Sequence, residues 1–576
     1  MIKILFYDFE VFQYDWLVVV KDISTRTTHE IVNDPEALKK LYEENKNNIW
    51  IGFNSRGYDQ FILKGILLGL SPQAINNHIV VNNKGGWSFS RSFNEIQLYN
   101  FDVMTDRFRG LKELEGFMGN DIRETTVDFN TNRKLTDKEI EEVLFYCNHD
   151  VEQTMQVFIN RKQEFESQIN LIKTFKLPLK YINKTKAQLS AIILEATKQE
   201  HNDEFDIEIV NTIKIEKYKD VKRWYENKLN YNYSKSLEVE VAGVPHTFGW
   251  GGLHGARTQY QGEGIFINSD VTSFYPSLMI VYKFLSRNVR HPEKFKEIYD
   301  VRVKLKREGK KAEQQPYKIV LNSTYGASKD QYNSLYDPRQ ANNVCVNGQL
   351  MLLDLIEKVE MNIPGALLIQ ANTDGVMFKL PNKEAIELYK KVTEEWSNRT
   401  KMGLEHDLIK KVIQKDVNNY LIVMENGKVK SKGAYVKELS KLDNDLPIVN
   451  KALKDYFIYG IPVEETINNA KYLIEFQKVI KASSKYKYLM HGNVKINEKV
   501  SRVFASKDYS DPGIFKVKSN GSIEKVAGTP ERAFIDNSDI NGKRIPRRLD
   551  KQWYIDVAKK RIEDFIGNGM EQMRLF

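Results

Sequence analysis

The residues best suited to chemistry are two acidic strand ends with a basic helix between them. The apolar run Gly264–Ile267 reads as a buried strand that ends in Asn268-Ser269-Asp270-Val271-Thr272-Ser273-Phe274-Tyr275-Pro276-Ser277. Pro276 interrupts the pattern, so Asp270 leaves a well-held strand where it can reach a cleft. A second strand, Ala366–Gln370, leads to Asn372-Thr373-Asp374-Gly375 and then Val376-Met377-Phe378. Asp-Gly is a common hairpin pair, which sets Asp374 in a turn. Between them runs Lys318-Ile319-Val320-Leu321-Asn322-Ser323-Thr324-Tyr325-Gly326. Lys318, Asn322 and Tyr325 stand at i, i+4 and i+7, one side of a helix, where a lysine, an amide and an aromatic ring could hold a triphosphate and stack a base. The preceding segment, Glu293–Gly309, carries Arg302 and Lys306 on one face. Taken singly, each aspartate is equally at home as a turn or cap residue.

A second acidic set lies near the amino terminus. Asp8 and Glu10 are two apart at the end of the first strand, so both carboxylates share one face. Like charges so placed repel, and a cation is the natural compensation. Asp59 opens an apolar helical segment, Phe61–Leu70, where an N-cap is its simplest role. Thr136-Asp137-Lys138-Glu139 is a capping box that opens a helix through Val151, and Tyr146 and Asp150 lie one turn apart on it. Lys112 sits in Gly110–Leu114, a helix start.

The elements that must position these groups alternate strand and helix. Residues 2–9 and 14–20 read as adjacent strands, and Ile96–Phe101 as another that leads to Asp102. From Val151 to Asn230 the pattern is helical and strongly charged, a connector with no chemistry of its own. Glu238–Val244 reads as a strand before a glycine-rich stretch, Phe248–Gly255, whose backbone could approach a ligand. A long apolar helix surrounds Gln349–Val359. The last part, from Leu446, mixes helices (Ile448–Tyr459, Val463–Val479) with a β-rich part around Val500–Phe534, and Lys543, Arg544, Arg547 and Arg548 suit either phosphates or a solvated charge run. The apolar fraction of 41% and charged fraction of 28% in 576 residues are those of a globular protein of several domains, and the net charge of +9 admits an anionic partner. Two cysteines, Cys147 and Cys345, exclude a disulfide framework. No signal peptide pattern and no apolar run of the roughly 18–20 residues that span a bilayer is present, so the expected location is cytoplasmic.

In order, Asp8-x-Glu10, Asn54-x-x-x-Tyr58-Asp59 and Tyr146-x-x-x-Asp150 resemble the proofreading 3′–5′ exonucleases of the DEDDy type. Asp270-x-x-Ser-x-Tyr-Pro-Ser, Lys318-x-x-x-Asn-Ser-x-Tyr-Gly and Thr373-Asp374 resemble the palm, fingers and palm motifs of family-B DNA polymerases. The resemblance spans roughly residues 1–440 and is to the compact bacteriophage type. It implies an α/β multidomain chain: an RNase H-like exonuclease domain (1–160), a helical connector (161–245), and a right hand of palm (246–291 and 336–440), fingers (292–335), and thumb with C-terminal region (441–576). It implies a DNA-templated DNA polymerase with 3′–5′ exonuclease, a monomer acting on primer–template DNA and dNTPs, with two Mg²⁺ per active site and Mn²⁺ able to substitute. The metals would fall to Asp8, Glu10, Asp59 and Asp150 in one site, with Tyr146 orienting water, and to Asp270 and Asp374 in the other. Lys318, with Arg302 or Lys306, and Asn322 would meet the triphosphate; Tyr275 would exclude a ribose 2′-OH and Tyr325 would pack on the nascent base pair. Lys112, Trp250, Tyr420 and Lys432 would contact DNA.

The chain also departs from the family pattern. Asn372 stands where the family usually has aspartate, Asn418 where it has lysine, and Trp250 where a template-contacting tyrosine would be in register. Asp270 and Lys318 are 48 residues apart, and Lys318 and Asp374 are 56 apart, which leaves room for two finger helices but not for the insertions of protein-primed phage polymerases. Abundant Lys, Asn and Ile suggest a low-GC host. A DNA-processing exonuclease with a weak or inactive polymerase half is the rival reading, motivated by Asn372, and a non-enzymatic DNA-binding factor is a third.

Overall fold

The alternating apolar residues of the first hundred positions build one five-stranded sheet. Its strands are β1 (Ile4–Val11), β2 (Trp16–Asp22), β3 (Thr27–Val32), β4 (Ile49–Gly52) and β5 (Tyr99–Asp102), in the order β3-β2-β1-β4-β5. β1, β2 and β3 are antiparallel neighbours, whereas β4 joins β1, and β5 joins β4, in parallel. β1 is covered on both sides: Leu5, Tyr7 and Phe9 enter one core, and Phe6 enters another with Val143, Cys147 and Val151 of the helix Asp137–Asn160. Period-two geometry therefore turns Asp8 and Glu10 toward that helix. The capping box expected at its start is formed, with Thr136 and Glu139 bonding reciprocally.

A computed structural model describes residues 2–104, 109–483 and 485–567, and the chain packs as two units. One comprises Met1–Lys184, Leu439–Ile448 and Asn468–Tyr554; the other comprises Thr185–Glu438, Val449–Ile467 and Ile555–Phe576. The connector expected at 161–245 and the C-terminal region expected at 441–576 are thus each divided between units; positions 568–576 of the latter lie outside the described residues.

The second unit is built on a nine-stranded antiparallel sheet: β6 (Ser236–Val241), β7 (Val244–Gly249), β8 (His254–Ala256), β9 (Tyr260–Val271), β10 (Leu367–Ala371), β11 (Gly375–Leu380), β12 (Leu404–Asp416), β13 (Asn419–Met424) and β14 (Val429–Lys432). The order is β14-β13-β12-β9-β11-β10-β8-β7-β6, which puts β9 and β11 side by side at its centre. The expected basic helices span Pro292–Arg307 and Lys311–Lys329. The long apolar helix spans Pro338–Asn362 and is buried along nearly all its length.

That helix explains where the expected connector departs from helix. Residues 199–217 carry no helix or strand. Their backbone is satisfied instead by polar side chains from one stripe of the buried helix: Asn343 accepts from Glu208 N (2.7 Å), Asn347 from Val210 N (2.9 Å) and Asp354 from Lys214 N (2.7 Å). Glu357 accepts from the amides of Glu216, Lys217 and Tyr218. A buried polar group needs a partner, and an extended strap supplies four of them in a row.

The remainder of the first unit is a β module of two sheets. β15 (Lys478–Lys481), β18 (Val500–Ala505) and β21 (Ala533–Ile535) form one; β16 (Tyr486–His491), β17 (Val494–Ile496), β19 (Ile514–Lys518) and β20 (Ile523–Lys525) form the other, in the order β17-β16-β19-β20. The helix expected over Val463–Val479 stops at Asn469, after which Val479 and Ile480 extend to pair with β18. Asn468 and Asn469 are poor helix residues, and β-branched Val479 and Ile480 suit a strand.

Among the described residues no helix is long and apolar enough to cross a membrane. Replacing Glu357 with alanine removes the acceptor of the Glu216, Lys217 and Tyr218 amides, of which the last is buried. Glu357→Ala is therefore expected to destabilise the second unit by about 1–3 kcal/mol, read as a lower urea midpoint.

Candidate functional site

The first unit gathers the four amino-terminal carboxylates. Asp8 and Glu10 project from β1, Asp59 opens the helix Asp59–Leu67, and Asp150 comes from the third turn from the end of Asp137–Asn160. Asp59 accepts from Phe9 N at 3.1 Å, which ties the helix start to the strand between the two other acids. The turn before it is held by Asp102, whose carboxylate accepts from the amides of Asn54 and Arg56. Asn54 is left-handed (φ 57°), a conformation asparagine tolerates.

Burial raises all four carboxyls. Asp59 is pushed up to about 7, against which a bond from the Phe9 amide acts. Asp150 is pushed up to about 6, against which the neighbouring Lys112 acts. Asp8 and Glu10 are raised well above the ordinary range by burial and then by the charges of Asp59 and Asp150, with Glu10 adding to the rise of Asp8 and Lys112 opposing that of Glu10. Ligand atoms of Asp8, Glu10 and Cys147 lie within 4.8 Å of one another, as do those of Glu115, His149 and Asp150. Hard oxygen donors that repel one another fit a divalent cation.

One cation is already part of the cluster. Lys112 Nζ donates to Asp150 and to Glu115 Oε1 (3.0 Å) and lies 4.6 Å from the centre of the Tyr146 ring. Although burial opposes its charge, the two carboxylates raise the Lys112 pKa. Glu115 is wholly buried; its Oε2 has no hydrogen-bond partner and lies 3.6 Å from His149 Nε2. Sequence reasoning missed Glu115, His149 and the Cys147 thiol. The only signal for Glu115 was its i+3 spacing from Lys112, ordinary on a helix.

In the second unit, the register of β9 and β11 brings the other two aspartates together. Gly375 pairs with Asp270, and Val271 N donates to the carbonyl of Asp374 at 2.7 Å. A Cβ on Gly375 would meet Asp270 Oδ1 at 2.2 Å, so only glycine admits this approach. Asn372 Oδ1 accepts from Asp374 N (3.1 Å) and Gly375 N (2.9 Å), which makes it the residue that shapes the turn. Asp270 and Asp374 are both raised chiefly by withdrawal from water; Asp374 raises Asp270 further, and Lys432 draws Asp374 down. Tyr420 pairs with Lys432 across β13 and β14, and its hydroxyl is raised by burial and then by Asp270. Glu405, which sequence reasoning also missed, stands opposite Asp270 on β12.

The Tyr275 and Tyr325 rings meet at 4.3 Å, and Tyr275 lies beside Gly348 of the long helix. Lys318 and Asn322 lie on the helix of Tyr325, half-buried and exposed respectively. Lys306 pairs with Glu405. Arg302 does not present a free guanidinium: it is buried and donates to the hydroxyl of Ser273, a left-handed residue (φ 49°) in the loop after Asp270. Trp250 is not a surface contact: it is 5% exposed, packs on Phe205 and Tyr225, and donates to the Asn230 carbonyl. An indole surrounded by aromatic rings is held as core.

No family model matches the chain. Over 160 residues it is 27% identical to DNA polymerase 1 of Saccharolobus solfataricus, a segment that is 27% of this chain and 16% of that protein. The chain therefore spans only a small part of that relative. Among solved structures it is similar to the family B DNA polymerase from the hyperthermophilic archaeon Pyrobaculum calidifontis, with 13% identity, a TM-score of 0.45, and coverage of 99% of this chain and 78% of that one. Both relatives are DNA polymerases.

The raised carboxyls fix the sign of a pH effect. Between the unfolded value near 4 and the folded values, about 7 for Asp59 and about 6 for Asp150, the folded chain holds protons that the unfolded chain has released. Stability from these groups therefore falls as pH rises through that window. In EDTA the first unit is expected to melt roughly 2–4 °C lower at pH 8 than at pH 5.5, with the difference reduced in Asp59→Asn and offset by Mg²⁺, as read by scanning calorimetry.

Proposed function

We propose that this protein is a DNA-templated DNA polymerase with a 3′–5′ proofreading exonuclease, of the compact phage type. The observation that carries the reading is the pairing of Asp270 beside Asp374 at the centre of the sheet, next to the Tyr275–Tyr325 pair. The separate acidic cluster in the first unit, the motif order and the partial likeness to DNA polymerase 1 support it. The first unit would be the RNase H-like nuclease extended by its β module, and the second would hold palm and fingers.

Asp8, Glu10, Asp59 and Asp150 would hold divalent ions at one site, and Asp270 and Asp374 at the other. Mg²⁺, or Mn²⁺ in its place, supplies charge neutralisation and an activated oxygen nucleophile when bound. The protein's own groups do the positioning. In the nuclease, Lys112 places a fixed ammonium beside the scissile phosphate, and Tyr146, whose hydroxyl burial and Asp150 keep protonated, donates a hydrogen bond to the attacking water. In the polymerase, Lys318 neutralises triphosphate charge, Asn322 donates to it, and Tyr325 stacks on the nascent pair. Tyr275, braced against Tyr325, closes the space a ribose 2′-OH would need. Tyr420 and Lys432 steady the primer strand, and Arg302 holds the loop after Asp270 through Ser273. Asn372 serves by forming its turn, so the absent aspartate costs no turn geometry.

The alternative is a DNA-processing nuclease with a weak polymerase half, favoured by the neutral side chain at Asn372. Extension of a labelled primer–template by Asp8→Ala with Mg²⁺ and dNTPs separates the two: added nucleotides support the polymerase, and none supports the nuclease. Asp270→Ala is expected to lower nucleotide addition by at least about 10²-fold and to spare degradation, while Asp59→Ala does the reverse. Equal loss of both activities in both variants would overturn the assignment of separate sites. Tyr275→Ala is expected to raise ribonucleotide incorporation relative to dNTPs, measured in the same assay.

A further inference from the structure

The charge of this protein is not spread along the chain. Residues Asn468–Tyr554 contain 18 lysines and arginines against 9 aspartates and glutamates, an excess equal to the whole chain's +9. The rest of the sequence is neutral in sum, although the two helices between Pro292 and Lys329 are also locally basic.

Within the module the charge is interleaved with aromatic residues. Lys485-Tyr486-Lys487-Tyr488 leads into and along β16. Leu489, Ile496 and Ile514 enter the module's core. The opposite parity of the register then places Tyr488, Met490, Phe515 and Ile523 on the face turned away from that core. Ile523 is 57% exposed, Tyr488 and Phe515 are half-buried, and Lys495 stands over the Tyr488 ring at 5.4 Å. Lys516 and Lys518 are matched by Glu524, but Lys485, Lys487 and Lys495, all exposed, form no ion pair among the described residues.

We propose that this face is a binding site for single-stranded DNA. Lys495, paired with Met490 on this face, answers a phosphate, and Lys485 and Lys487 add exposed charge at the start of β16, where the register shifts. Tyr488 with Phe515 offers rings on which unpaired bases can stack. A duplex keeps its base faces inside, so it would engage the lysines without the rings. The module is fastened to the helix Leu111–Met118, which carries Lys112: Lys481 pairs with Glu113 (3.4 Å), Gln477 donates to the Phe117 carbonyl (3.0 Å), and buried Arg502 donates to the carbonyls of Gly119 and Asn120 at the helix end. A strand held on this face is thus held by the unit that contains the acidic cluster of Asp8.

The test is fluorescence anisotropy of a labelled oligothymidylate with the full chain in EDTA, across a salt series, with a blunt duplex as the second probe. Tyr488→Ser is expected to weaken single-strand binding about tenfold and leave duplex binding unchanged. The exposed pair Lys487→Glu and Lys495→Glu together is expected to flatten the log–log salt slope by about 1.4. Circular dichroism checks that each variant folds. Unchanged oligothymidylate affinity in both variants, or an equal loss for duplex in Tyr488→Ser, overturns the proposal. The assay contains no divalent ion and no dNTP, so a chain that catalyses nothing would end the proposed function while this binding could still be read.

Discussion

Carboxylates held close together out of water repel, and the first unit is arranged around that repulsion. Asp8, Glu10, Asp59 and Asp150 are all raised, first by burial and then by neighbouring negative charge. They therefore hold protons unless positive charge is supplied in their place. Lys112 supplies part of it. Its position needs Glu115 behind it, and Glu115 is buried because the β module closes over the helix that carries both. A long chain of packing therefore stands behind one ammonium group.

The second unit meets a milder form of the same constraint by backbone means. Two aspartates on adjacent strand ends are kept close by a glycine that admits the contact and an asparagine that ties the turn. Arg302 is held by the loop after Asp270, while Lys318 stays half-buried on the next helix. The environment of a charge, more than its presence in a motif, decides what it can do.

How much of this was legible in the sequence follows from how local each cause is. Period two put Asp8 and Glu10 on one face, the Thr136–Glu139 box opened the helix of Tyr146 and Asp150, and the Asp-Gly pair set the hairpin of Asp374; each cause lies within a few residues. Glu405 was invisible because its place opposite Asp270 depends on the register of β9 and β12. The burial of Trp250 could not be settled from the sequence, because its ring partners, Phe205 among them, come from a stretch without periodicity. The strap over the long helix left a trace that was readable: Asn343, Asn347, Asp354 and Glu357 form a polar stripe on an apolar helix, and buried polar groups demand company.

The hydrogen bond from Arg502 to Gly119 joins positions 383 residues apart. During synthesis at the usual 5–20 residues per second, the end of the Leu111–Met118 helix waits roughly 20–80 s for the side chain that caps it. Throughout that interval the amino-terminal sheet must persist with its newest helix unfinished, while the whole central sheet emerges and folds between the two halves of the first unit. The order of manufacture thus runs against the order of assembly: a side chain made late completes a helix made early.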